Sequence, residues 1–219
     1  MPKRTSNSLK RTSLLKKISF LVFPPHCVIC GKETNGENIC KDCLSKIDFL
    51  EYPLIEHRGK FFFYAITNYE GISGEVVRKL KFFNLKSLSY DIAEIFADFI
   101  RENKIEADFV SYVPMTQKDR RKRGFNQSRL IAKNLSELLD IGFFEGIEKV
   151  RYTEKQVGLS RSKRIENMRN AFCAREKVPG DLIIVDDVYT TGATAHSVVK
   201  AFSRKSCFNI YFIAFSRKI

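Results

Sequence analysis

The sequence predicts an α/β fold, an open parallel sheet flanked by helices, with a small cysteine knuckle ahead of it. Three observations carry this. Leu182, Ile183, Ile184 and Val185 form a short apolar run suited to a buried strand, and Val198, Val199, Ala201 and Phe202 continue a helical pattern after Gly192. Further apolar runs at residues 61–66, 109–113 and 208–215 have the length of strands, and amphipathic segments separate them. Four of the six cysteines crowd into residues 27–43.

The 219 residues suffice for one sizeable domain and an appendage, and 44% hydrophobic residues support a core. Lys and Arg number 38 against 25 Asp and Glu, a net charge of +13, which points to polyanionic partners: nucleic acid, phosphorylated ligands or an anionic membrane. Charge alone does not choose among them. No stretch reaches the roughly 18–20 consecutive apolar residues that a membrane span needs. The apolar run at 20–23 ends at Pro24-Pro25, and no small-residue cleavage site follows it, so a cytoplasmic chain is expected rather than a secreted one.

Residues 1–23 start polar and basic. Leu14, Leu15, Ile18, Leu21 and Val22 then recur among Lys10, Arg11, Lys16 and Lys17, a basic amphipathic helical segment. Such a helix packs its stripe onto its own protein, the commoner outcome, or lies on a membrane surface. Residues 24–50 hold Cys27, Cys30, Cys40 and Cys43 as two Cys-x-x-Cys pairs nine residues apart, with turns at Gly31 and Asn35-Gly36. Two such pairs can close tetrahedrally on Zn²⁺. A redox pair would leave the second Cys-x-x-Cys unexplained. Four protein ligands leave no open position, so the zinc is expected to be structural. His26 is surplus to the tetrad. Cys173 and Cys207 stand apart and are expected as buried small side chains.

Residues 51–219 are expected to form the main domain, entered through a linking stretch that extends to Arg58. After the strand at 61–66 and a turn at Tyr69-Glu70-Gly71, Val76, Val77, Leu80 and Phe83 suit one helix. Leu88, Ile92, Ile95, Phe96, Phe99 and Ile100 suit another. These aromatics are expected in the core. Only Lys79-Leu80-Lys81-Phe82-Phe83 mixes rings and cations closely enough to raise a base-stacking platform. The strand at 109–113 ends at Pro114 and leads to Lys118, Arg120, Arg121, Lys122 and Arg123. Gly124 and a helix burying Leu130, Ile131, Leu135 and Leu138 follow. Residues 151–172 are polar and basic, as a functional lid or a surface excursion would be.

The chemistry concentrates after the 182–185 strand. Asp186 and Asp187 precede a hydroxyl- and glycine-rich turn that opens a helix, which sets backbone N–H groups and a positive helix terminus where a phosphate docks. In an open parallel sheet, ligands bind beyond the carboxyl ends of the strands, and the basic run at 118–123 follows another such end.

The stretch Asp186-Asp187-Val188-Tyr189-Thr190-Thr191-Gly192-Ala193-Thr194 after an apolar strand resembles the phosphoribosyl pyrophosphate (PRPP) signature of type I phosphoribosyltransferases. With the two cysteine pairs behind FPP, the segment RRKRGFNQS, and the spaced Gln156, Leu159, Arg164, Asn167, Ala171 and Phe172, the chain resembles the ComF (ComFC) family of competence proteins over residues 14–215. The resemblance implies a type I phosphoribosyltransferase-like sheet. In it Asp186 and Asp187, the pair at any catalytic centre, accept hydrogen bonds from the ribose hydroxyls. Thr190, Thr191, Gly192, Ala193 and Thr194 would cradle the 5′-phosphate, Val188 and Tyr189 belong to the same PRPP-binding stretch, and Lys118, Arg120 or Arg123 would face the pyrophosphate. Mg²⁺ would arrive with PRPP. Asn170 stands where the family tends to have Gly, and Asn tolerates a left-handed backbone. The implied role is handling single-stranded DNA during natural transformation, beside competence-machinery partners such as a helicase or an inner-membrane channel. No acceptor pocket or general base is legible, so a catalytically active phosphoribosyltransferase of nucleotide metabolism stands as the alternative.

Overall fold

The computed structural model describes residues 24–151, 167–168, 170–203 and 208–218. The amphipathic segment at 1–23, most of the expected lid including Gln156, Leu159 and Arg164, and Cys207 lie outside them. The chain divides into two compact units, Met1–Lys46 and Ile47–Ile219.

In the described part of the first unit, His26 and Glu33 pair as an antiparallel bridge, and the one-turn helix α1 (Lys41–Leu44) follows. Gly31 and Gly36 take positive φ values of 76° and 113°, which let the chain double back within a few residues.

The second unit is built on a six-stranded sheet. In chain order it contains β1 (Leu54–Arg58), β2 (Phe61–Asn68), α2 (Ile72–Phe82), α3 (Leu88–Glu102), β3 (Phe109–Tyr112), α4 (Gln117–Arg123), α5 (Gln127–Leu139) and β4 (Gly142–Phe143). Then come β5 (Ile147–Lys149), β6 (Phe172–Ala174), β7 (Leu182–Tyr189), α6 (Ala193–Ser203) and β8 (Ile210–Arg217). The sheet order is β1-β2-β8-β7-β3-β4, and β5 and β6 form a separate antiparallel pair. Only the β1–β2 hairpin at the edge of the main sheet is antiparallel. The expected parallel α/β sheet with a cysteine knuckle is therefore present.

β7 lies between two parallel partners, with Val185 opposite both Tyr112 and Ile213. A strand covered on both faces reads as a continuous apolar run, and Leu182, Ile183, Ile184 and Val185 are all fully buried. Leu182 and Ile184 join Phe63, Phe212, Val198 and Phe202 in one cluster beneath α6. Elsewhere α3 and α5 pack together, with Ile92, Phe96, Ile131 and Leu135 fully buried. Leu130 and Leu138 are only half-buried.

Several elements depart from expectation. The strand expected at 182–185 runs on to Tyr189, so Asp186 and Asp187 are strand residues hydrogen-bonded into the sheet beside β8. The stretch at 50–58 carries β1. This is an edge strand with a mostly exposed pattern, so it lacks the apolar run that marks an interior strand. The basic run is the short helix α4. Thr116 Oγ1 accepts from the Asp119 N–H at 3.1 Å to start it, and Gly124 ends it at φ 84°. Cys173 is exposed rather than buried, because β6 alternates and turns Phe172 and Ala174 inward instead. Phe83 lies one residue past the end of α2, outside the helical stripe of Val76, Val77 and Leu80. It and Phe82 are exposed, not core. Asn170 does adopt the left-handed backbone, at φ 53°.

Candidate ligand site and metal centre

The four cysteines of the first unit converge, with all sulfur atoms within 4.8 Å of one another. Cys30 Sγ and Cys40 Sγ are 3.7 Å apart. Tetrahedral zinc with Zn–S bonds of about 2.3 Å separates its sulfurs by about 3.8 Å, so the group matches the metal. The loops are turned towards it. The Cys40 N–H donates to Cys27 Sγ at 3.3 Å. Although burial works against the Cys27 thiolate, backbone hydrogen bonds from Cys40, Cys30 and Ile29 bring its pKa down to about 6. Cys27, Cys30, Cys40 and Cys43 form the zinc-binding knuckle, and exposed His26 takes no part in the cluster.

In the second unit the carboxyl end of β7 carries the acidic pair. Ser128 Oγ, in the first turn of α5, donates to Asp186 Oδ1 at 2.8 Å, and the Asp187 N–H donates to the same oxygen at 3.0 Å. Asp187 is nearly inaccessible, and Lys81 Nζ of α2 meets its Oδ2 at 2.5 Å. The two carboxyls consequently differ. Burial, and then repulsion from Asp187, push Asp186 up to about 7. For Asp187 burial acts in the same direction, but the Lys81 charge and hydrogen bond, with help from Asp186 and Arg123, hold it below the ordinary carboxylate value. Of the two, Asp186 is therefore the carboxyl that takes up a proton more readily.

Beyond β7 the chain turns through Thr190 and Thr191 into α6. Thr191 Oγ1 accepts from the Ala193 N–H at 3.5 Å, and Gly192 O accepts from the His196 N–H at 2.8 Å. Gly192 sits at φ 76°. A Cβ there would fall 2.4 Å from Tyr189 Oη and 2.9 Å from the His196 ring, so the turn admits no larger residue without rearrangement. Asp186, Val188, Tyr189, Thr190, Gly192, Thr194, Ala195 and Phe212 line a small cleft open to solvent.

The structure thus gathers Asp186, Val188, Tyr189, Thr190, Gly192 and Thr194 around one cleft, with Thr191 and Ala193 in the same turn. Of the predicted cations, Arg123 comes close enough for its charge to act on Asp187, whereas Lys118 and Arg120 are exposed on α4. Sequence reasoning did not assign Lys81, Ser128 or Lys149. Lys149 on β5 has its pKa lowered by burial, against the opposing pull of Asp119 and Asp186. It also missed a support beneath the turn. His196 Nδ1 lies 2.8 Å from Gly192 O, and Nε2 lies 2.7 Å from Glu56 Oε2 of β1. Each ring nitrogen thus faces one oxygen, and the histidine ties the turn to the edge strand. Apart from the His196–Gly192 contact, four residues apart, these contacts have no local sequence signal. They join residues up to 140 positions apart.

A double zinc ribbon domain family matches residues 18–74, a stretch holding only Cys27, Cys30, Cys40 and Cys43 and hence ligands for one zinc. Competence protein F of Haemophilus influenzae is 28% identical over 80% of this chain and 77% of its own length. Competence protein ComFC of Bacillus subtilis is 24% identical over 88% of this chain and 76% of its own. This chain is similar to the ComF competence proteins. The ComF likeness read from the sequence is thereby borne out. DNA utilization protein YhgH of Escherichia coli is 38% identical to the ComF-like chain over 44% of each. Among solved structures, adenine phosphoribosyltransferase of Leishmania tarentolae aligns with 75% of the chain and 94% of its own, at 10% identity and a TM-score of 0.41. Glutamine PRPP amidotransferase of B. subtilis aligns with 57% of the chain and 25% of its own, at 21% identity and a TM-score of 0.37. No helix among the described residues is long and apolar enough to cross a membrane.

Proposed function

We propose that the chain acts in competence as a PRPP-binding module that handles single-stranded DNA. One observation carries the PRPP reading. An unequal carboxyl pair ends a central parallel strand, and the next residues turn through hydroxyls and a required glycine into a helix N-terminus. A ribose 5-phosphate presents diol hydroxyls and a dianion, and this arrangement offers acceptors for the first and N–H donors for the second. Asp186 and Asp187 would hold the ribose. Residues 190–194 would hold the 5′-phosphate, and Arg123, with Lys118 and Arg120 on the same helix, would face the pyrophosphate. Mg²⁺ would be bound mainly by the ligand's own pyrophosphate and ribose oxygens. The names of the relatives and the net charge of +13 support the DNA part.

Calorimetry with Mg²⁺–PRPP tests the site. Native protein should bind one equivalent, Asp187→Ala should bind at least tenfold more weakly, and zinc content should stay at one. Unchanged affinity would remove the assignment. Robust release of pyrophosphate with any nucleobase would favour an active phosphoribosyltransferase instead.

A further inference from the structure

Phe82, the last residue of α2, and Phe83, the next, have 71% and 60% of their surfaces exposed. They add nothing to the core, because the buried stripe of this helix is Ser73, Val76, Val77 and Leu80. Cations surround them. The Arg123 guanidinium lies 5.7 Å from the centre of the Phe82 ring, and Arg78 lies 5.8 Å and Lys79 5.6 Å from that of Phe83. Glu75 pairs with both Arg78 and Lys79 and so fixes their positions over the ring. Arg121 and Lys122 are exposed beside Arg123 on α4. The residue before Phe82, Lys81, is tied to Asp187.

We infer that Phe82 and Phe83, bracketed by Arg78, Lys79 and Arg123, are a stacking surface for the bases of single-stranded DNA. The inference rests on the proposed DNA role and gives it a place. Every base has a π-face that an exposed ring can cover, and a cation beside the ring reaches the adjoining phosphate. This pairing holds single strands with little dependence on sequence. A duplex keeps its bases stacked on each other and cannot use the rings. The cations also fix the choice of occupant, since an apolar protein partner would have to strip water from three charged heads that a phosphate chain would pair with.

The test is fluorescence anisotropy of the full zinc-loaded chain with a labelled twenty-nucleotide oligothymidylate, an abasic oligomer of equal length and a duplex. The double variant F82A/F83A should lose tenfold or more of its affinity for the oligothymidylate, given stacking worth roughly a factor of five to a hundred per ring. Its affinity for the abasic oligomer and the duplex should not change, nor should its circular dichroism spectrum and urea midpoint, which report that the fold is intact. F82Y/F83Y should bind like the native chain. Three outcomes would overturn the stacking surface. They are native-level affinity of F82A/F83A, equal losses on all three probes, or loss of self-association in sedimentation with oligothymidylate affinity retained. Absence of salt-sensitive single-strand binding in the native chain would overturn the DNA role itself, and the surface with it.

Discussion

Replacing Asp186 by Asn should stabilise the ligand-free protein at alkaline pH. The native carboxyl has its pKa raised from 3.8 to about 7 by burial and by the charge of Asp187. A group whose folded pKa lies above its unfolded value binds more protons in the folded state. Its contribution is full below about 3.8, declines as pH rises, and is gone above about 7. A shift of about three units corresponds to a ceiling of about 4 kcal/mol. The amide still has to be desolvated, so about 1–2 kcal/mol is the expected gain at pH 8.5. The neutral oxygen keeps its donors, because Ser128 Oγ and the Asp187 N–H both point at Oδ1. Urea unfolding followed by circular dichroism at pH 4.5 and 8.5 measures this. The native protein should lose stability between the two values, and Asp186→Asn should lose much less. An equal pH slope in both proteins, or a variant less stable than native at pH 8.5, would refute the assignment of the proton to Asp186. The same substitution should weaken PRPP binding, since an amide cannot lose a proton to become the anionic acceptor that the ribose hydroxyls favour. Stability gained at the expense of function is the usual sign of a binding residue held against its preference.

Lys81→Met should cost about 2–4 kcal/mol at pH 7, because it leaves Asp187 buried without its cation. The contribution of that depressed carboxyl is present above about 3.8 and lost as pH falls through its folded value, so the deficit should shrink in acid. Adding Asp187→Asn should recover most of it, and a deficit that persists in the double variant would mean the lysine acts through packing. Cys40→Ala should release the zinc and expose the chain around residues 27–43 to protease, measured as metal per chain and as cleavage sites. Retention of one zinc would sink the four-thiolate assignment.

How much was legible beforehand varies by element. β7 announced itself through four consecutive apolar residues, because a strand covered on both faces has no polar side to show. β1 gave no such signal, since an edge strand needs no apolar run and Glu56 and His57 lie within it. The zinc knuckle was legible as spacing because its ligands are local in sequence. The fate of Phe82 and Phe83 was not. Their composition suits a core as well as a surface, and the exposure follows from where α2 stops.

The sequence by itself determined the acidic pair, the hydroxyl and glycine turn, the four thiols and the excess of positive charge. Tertiary structure decided what each carboxyl is. Identical side chains at adjacent positions alternate across a strand, and only the chain brought over from α2 puts Lys81 against one while leaving Ser128 with the other. It also decided that His196 and Glu56, 140 residues apart, meet beneath Gly192. Charge, burial and hydrogen bonding at such a site are properties of neighbours, and neighbours that distant are chosen by the packing of the sheet.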